Sequence, residues 1–144
     1  MPLVGGGGAG NTAGSTFTGS SQGLEIIGDF AYSYNQVSSD ALQGPTNTLS
    51  FTTGNYTFIG HWTACGTVNK DGASSTGGIA QFYLKLNSTT VMSLKTDTAE
   101  EDQPQHITVP VIIPPFTKVE ALIACTVNNA NWLASNSLTG RIYV

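Results

Sequence analysis

The chain has 144 residues, 10% of them charged and 40% apolar, with a formal charge of -4. That length suits one domain burying roughly two-thirds of its unfolded surface, and so apolar a composition with so small a net charge excludes a chain disordered throughout. With one arginine, Arg141, four lysines (Lys70, Lys85, Lys95 and Lys118) and no basic run, the chain has little with which to displace counterions, so nucleic acid is not expected as a partner.

Residues 1–22 contain Gly5, Gly6, Gly7 and Gly8 within a Ser/Thr/Gly/Asn mixture. They read as an arm ahead of a domain spanning 23–144, because Gly-rich chain has too few large side chains to build a core. From Leu24 the period is two. Leu24, Ile26, Phe30, Tyr32 and Tyr34 share one parity and predict a strand with one buried face, interrupted by a bulge at Gly28. Residues 38–47, with Gly44-Pro45, predict a connection before a short strand around Leu49 and Phe51. A turn at Thr53-Gly54-Asn55 leads into the clearest strand, in which Tyr56, Phe58, Gly60, Trp62 and Ala64 alternate with Thr57, Ile59, His61, Thr63 and Cys65. Both of its faces read as partly covered. An exposed apolar strand face is expected if the domain assembles, since a sandwich with both outer faces wet would show stricter alternation than Tyr56 to Cys65 does.

Residues 70–78 predict a loop, followed by a strand through Phe82, Leu84 and Leu86 and a hairpin over 87–90 that returns along 91–95. The acidic stretch 96–105 reads as a loop. Ile107, Val109, Val111 and Ile113 predict a strand that ends at Pro114-Pro115, and Pro110 within it predicts an edge position, because proline cannot donate to a ladder. Val119 to Val127 alternate as a penultimate strand, 128–137 form a polar loop holding Trp132, and 138–144 form the last strand. No stretch keeps a 3.6-residue apolar period. The fold expected is all-β, an antiparallel two-sheet β-sandwich of seven or eight strands with jelly-roll topology.

Three segments, in this order, resemble the trimeric jelly roll shared by tumour necrosis factor and the globular heads of complement and collagen-like proteins. They are Gly54-Asn55-Tyr56-Thr57-Phe58 after the strand holding Phe51, Phe82-Tyr83-Leu84-Lys85-Leu86-Asn87 ending in a short hairpin, and Leu138-Thr139-Gly140-Arg141-Ile142-Tyr143-Val144. The resemblance covers about residues 24–144 and implies a TNF-like sandwich that trimerises. No signal peptide, collagen-like stalk or disulfide pattern is read from the sequence, so the signalling roles of the secreted members do not carry over. A Gly-rich arm on a small, low-charge jelly roll is also similar to the decoration or cement proteins of tailed bacteriophages.

Chemistry-bearing residues are sparse. His61 and His106 have no ligand partners at metal spacing, no Gly-x-Ser-x-Gly elbow is present, and no catalytic residue, metal or cofactor is expected. Asp97, Glu100, Glu101 and Asp102 match no EF-hand spacing and read as a solvated loop. Cys65 and Cys125 read as reduced core residues, and Asn55-Tyr56-Thr57 and Asn87-Ser88-Thr89 as chance matches to a glycosylation pattern. The aromatics read as core or subunit-interface residues, except Trp132, which with Asn131 and Asn129 is the candidate loop contact for a ligand or partner.

The function expected is that of a non-enzymatic virion protein on the capsid exterior, a decoration subunit that forms a homotrimer. It would grip the major capsid protein or a neighbouring subunit through its arm, with Leu3, Val4, Asn11 and Phe17 as contacts. No membrane partner is expected, since no apolar run reaches the ~20 residues of a span. The alternative is a receptor- or carbohydrate-binding head, with Trp132 and the loops 70–78 and 128–137 meeting a glycan.

Overall fold

The computed structural model describes residues 21–39, 43–69, 78–98, 105–125 and 131–144. The described residues form nine strands: β1 (Ser21–Ile27), β2 (Phe30–Ser39), β3 (Gln43–Thr52), β4 (Thr57–Asn69), β5 (Gly78–Leu86), β6 (Thr89–Thr98), β7 (Gln105–Ile113), β8 (Lys118–Cys125) and β9 (Asn131–Tyr143). Sheet A has the order β1-β2-β9-β4-β7 and sheet B the order β3-β8-β5-β6. The antiparallel pairs nest, β2 with β9, β3 with β8, β4 with β7 and β5 with β6. The chain is therefore one long ribbon, folded back at the β5–β6 turn and wound across two sheets, which is a jelly roll with β1 added at one edge.

Period-two alternation builds the core. Phe58, Trp62 and Ala64 of β4, Val111 and Ile113 of β7, and Ala134, Leu138 and Ile142 of β9 point inward from sheet A. They meet Leu49, Phe82, Leu84, Val119, Ala121 and Ile123 of sheet B, all buried. A buried polar chain joins the sheets across this layer: Trp62 Nε1 donates to Asn136 Oδ1 (2.9 Å), Asn136 Nδ2 donates to Thr48 Oγ1 (2.8 Å), and Thr48 Oγ1 donates to the Ala121 carbonyl (3.0 Å). Trp62 Nε1, Asn136 Oδ1 and Nδ2, and Thr48 Oγ1 each find a partner in this network, so it fixes how the sheets align without leaving these groups unmatched. Gly60 and Gly140 face each other across β4 and β9. A Cβ on either would stand 2.2 or 2.3 Å from the opposite strand's carbonyl oxygen, so only glycine fits the pair.

Several expectations change with the turns. Gly28 and Asp29 form a two-residue hairpin loop, not a bulge, with φ +62° at Gly28, which an L side chain resists. A hairpin reverses the parity of the pattern: Leu24 and Ile26 stay on the core side, while Phe30, Tyr32 and Tyr34 turn outward and Ala31 and Ser33 are the buried residues of β2. Gly44-Pro45 lies within β3 rather than in a connection, because β3 is the edge of sheet B, where a missing donor costs no ladder bond. Pro110 lies on β7, the opposite edge of sheet A from β1, as its chemistry predicts. The polar loop expected over 128–137 is largely strand, because Asn136 is spent on Trp62 and Thr48 instead of on solvent. The hairpin after β5 is a two-residue turn with positive φ at both Asn87 (49°) and Ser88 (66°), the type I′ pattern whose twist matches that of its strands.

Candidate assembly face

The β1–β2, β3–β4, β5–β6 and β7–β8 turns gather at one end of the sandwich together with the end of β9. At this turn end the chain is tied down by backbone and side-chain bonds. Thr53 N donates to the Thr117 carbonyl (3.0 Å), Thr117 N to Thr53 Oγ1 (2.8 Å), Thr53 Oγ1 to the Pro114 carbonyl (2.8 Å), and Phe116 N to the Gly54 carbonyl (3.1 Å). Asn87 donates its N–H to the Lys118 carbonyl and accepts from Lys118 N through Oδ1, so this side chain of a glycosylation-pattern match serves the fold.

From this clamped end, register sets the outer face of sheet A into cross-strand rows. The first row runs over all five strands: Ile27, Phe30, Arg141, Ile59 and Ile112. Four of its five members are apolar and substantially exposed, Ile112 most of all at 64%. Arg141 lays its guanidinium over the Phe30 ring at 4.7 Å, so even the charge in this row is held flat against an apolar surface. Tyr143 is exposed on the same face just beyond it. The second row is Glu25, Tyr32, Thr139, His61 and Pro110. The third, Tyr34, Ser137, Thr63 and Thr108, is a row of hydroxyls in which the Thr63 and Thr108 oxygens lie 2.9 Å apart. The fourth is Gln36, Ser135, Cys65 and His106.

Sheet B presents a different outer surface. Lys85, Lys95 and Lys118 all belong to it, with Lys118 Nζ 3.0 Å from Glu120 Oε1 and Thr52, Ser50 and Ser93 alongside in register. The two outer faces thus differ: sheet B carries the lysines among Tyr83, Leu122 and the exposed Val91, whereas sheet A gathers four exposed apolar side chains in one row at the turn end, with hydroxyls beyond it and Leu133 exposed at the far end.

The residues expected to act fall as follows. His61 and His106 are exposed on the outer face of sheet A two rows apart, and among the described residues no three His, Cys, Asp or Glu side chains gather as a metal site. Cys65 is free and half-buried on that outer face, not in the core, since it has the parity of Ile59 and His61. Asn131 and Trp132 belong to β9 rather than to a loop, with Trp132 in register opposite Ser39 and Val68. Asn129, Glu100, Glu101 and Asp102, the arm contacts Leu3, Val4, Asn11 and Phe17, and most of the 70–78 loop lie outside the described residues. Phe30, Ile59 and Ile112 were not singled out by the sequence as contacts. The available signal was the weak alternation of 56–65, but it names no partner strand, and only the register aligns Ile59 with Ile112 and Phe30.

No family model and no curated protein sequence matches the chain. By structure it is similar to proteins of infectious bursal disease virus. A chain in the structure of the Gx strain matches with a TM-score of 0.45 and 16% identity, over 80% of this chain and 34% of that one. One in the VP2 subviral particle matches with 0.44 and 15%, over 80% and 33%. Dimeric latent PorU from Porphyromonas gingivalis matches with 0.41 and 8%, over 88% and 14%. The chain spans about a third of the length of the viral chains it matches.

Proposed function

We propose that the chain is a non-enzymatic structural subunit of a virus particle, a decoration protein on the capsid exterior whose copies group as a homotrimer. In this reading the arm, residues 1–22, holds the major capsid protein or a neighbouring subunit through Leu3, Val4, Asn11 and Phe17. The observation that carries it is the inequality of the two outer faces. Sheet B spreads its lysines and Glu120 over an outer face on which Val91 is the one large apolar side chain strongly exposed among the described residues, whereas sheet A gathers four in a single row. A small-molecule site is concave, whereas the apolar side chains here spread flat across five strands, the form of a protein contact. The jelly roll alone is shared by capsid proteins, lectins and cupins, so the face rather than the fold supports the function. The low charge also suits a lattice, because many like-charged copies side by side would repel.

The test is attachment to purified particles. Deleting residues 1–20, which stops short of β1, is expected to leave cooperative unfolding intact and to abolish attachment. Full decoration by the shortened chain would remove the arm from the reading. Absence of the intact chain from particles would overturn the reading itself.

A further inference from the structure

We infer that the outer face of sheet A is the surface on which copies of this chain meet, related by a rotation axis running along the strand direction, so that all copies point the same way. The inference rests on the assembly reading above and names the partner of that face as a second copy.

Area is the first argument. Five strands spaced about 4.8 Å apart and overlapping for about nine residues make a face of roughly 24 by 30 Å, or about 700 Å². A stable interface takes about 800 Å² from each partner, so one sheet face set wholly against another is of the right size, and in a homotrimer the same face is divided between two neighbours.

Charge is the second. On this face Glu25 and Arg141 are one acid and one base, while the described lysines Lys85, Lys95 and Lys118 all lie on sheet B. Copies of a chain with net charge -4 therefore bring together only one acid and one base from each face, Arg141 of the central strand meeting its own equivalent while it lies over Phe30, whereas the lysine-bearing faces would oppose three lysines to three.

The grading of the rows fixes the direction. Rotation about an axis along the strands preserves height, so each row meets its own equivalent. Ile27, Phe30, Ile59 and Ile112 meet the same aliphatic and aromatic row, and Tyr34, Ser137, Thr63 and Thr108 meet hydroxyls they can bond. A two-fold axis lying in the face and crossing the strands would instead set the apolar row toward Gln36, Ser135, Cys65 and His106, and bury polar groups against hydrocarbon. Same-height contact is what a closed cyclic ring supplies.

Sedimentation equilibrium of the full chain over a wide range of concentration tests this. The wild type is expected to associate. Ile59→Lys and Ile112→Lys, each at an exposed position whose substitution leaves the core untouched, should each weaken association roughly 30-fold or more, the loss expected at the centre of an interface. Ser93→Lys, exposed on sheet B, should not change it. Direction is read from Cys65 in a Cys125→Ser background: a short bismaleimide should join Cys65 of one copy to Cys65 of another, because the same-height arrangement brings equivalent fourth rows together. A wild type monomeric at every concentration, Lys variants that associate as well as wild type while retaining its unfolding transition, dissociation by Ser93→Lys, or failure of Cys65 to cross-link in the associated protein would each overturn the inference. Association in solution without attachment to particles would overturn the virion reading alone.

Discussion

At the scale of single residues, two side chains hold conformations or contacts that their type does not favour. Phe116 has φ +54° and is 68% exposed, between Pro115 and the buried Thr117. This is the third position of a Pro-Phe turn of type II character, where glycine is the low-energy choice, and a bulky side chain there is a conformational cost. The Thr53 clamp imposes it from both sides. Phe116→Gly is expected to stabilise the domain by about 1 kcal/mol, a rise of about 3 °C in Tm by thermal unfolding. An unchanged Tm would mean that the ring's contacts offset the backbone cost. Asn136 is the opposite case, a polar side chain with no exposed surface that satisfies Trp62 Nε1 and Thr48 Oγ1 together. Asn136→Ala leaves a buried indole N–H without an acceptor and opens space beside it, so a loss of about 2 to 3 kcal/mol is expected in chemical denaturation.

At the scale of elements, short turns decide what the strands present. The Gly28-Asp29 loop reverses the chain and so reverses which parity is buried, which is why an unbroken pattern from Leu24 to Tyr34 yields an inward β1 and an outward aromatic β2. The Asn87-Ser88 turn holds β5 and β6 together with two positive φ values, the second borne by serine. Ser88→Gly relieves that position and is expected to add about 0.5 to 1 kcal/mol of stability, read as a higher denaturation midpoint with an unchanged slope. The edges are guarded by chemistry visible in the sequence: Pro110 on β7 and Pro45 on β3 each remove a donor that another strand could use.

At the scale of the whole molecule, charge is segregated between faces. Because the proposed seam carries one acid and one base among apolar and hydroxyl groups, association is expected to depend on apolar burial rather than on ion pairs. Moving from low to physiological ionic strength should then change its dissociation constant by less than about threefold, measured by sedimentation. A steep salt dependence would point instead to contacts through Lys85, Lys95 and Lys118 on sheet B. The nested pairing of β2 to β9 also makes most contacts long-range, since the first and last strands of the ribbon lie side by side at the centre of sheet A.

By itself the sequence determined the all-β class, the two-sheet sandwich, the edge position of β7 and the two-residue alternation of Phe58, Trp62 and Ala64 and of Phe82 and Leu84, because period-two patterning and proline's missing donor are local properties. Both faces of β4 read as partly covered, and only the second sheet decides which is inward. The loose alternation of Tyr56 to Cys65 also gave the expectation of an exposed apolar strand face if the domain assembles. Tertiary structure alone decided which residues make that face. The direction of Phe30 depends on whether Gly28 begins a bulge or a hairpin, and both fit the same local pattern. Asn136 and Trp132 read as loop residues until β9 lies between β2 and β4 and gives Asn136 its buried partners. The row joining Ile27, Phe30, Arg141, Ile59 and Ile112 exists only through register, a property of strands far apart in the chain that no local periodicity encodes.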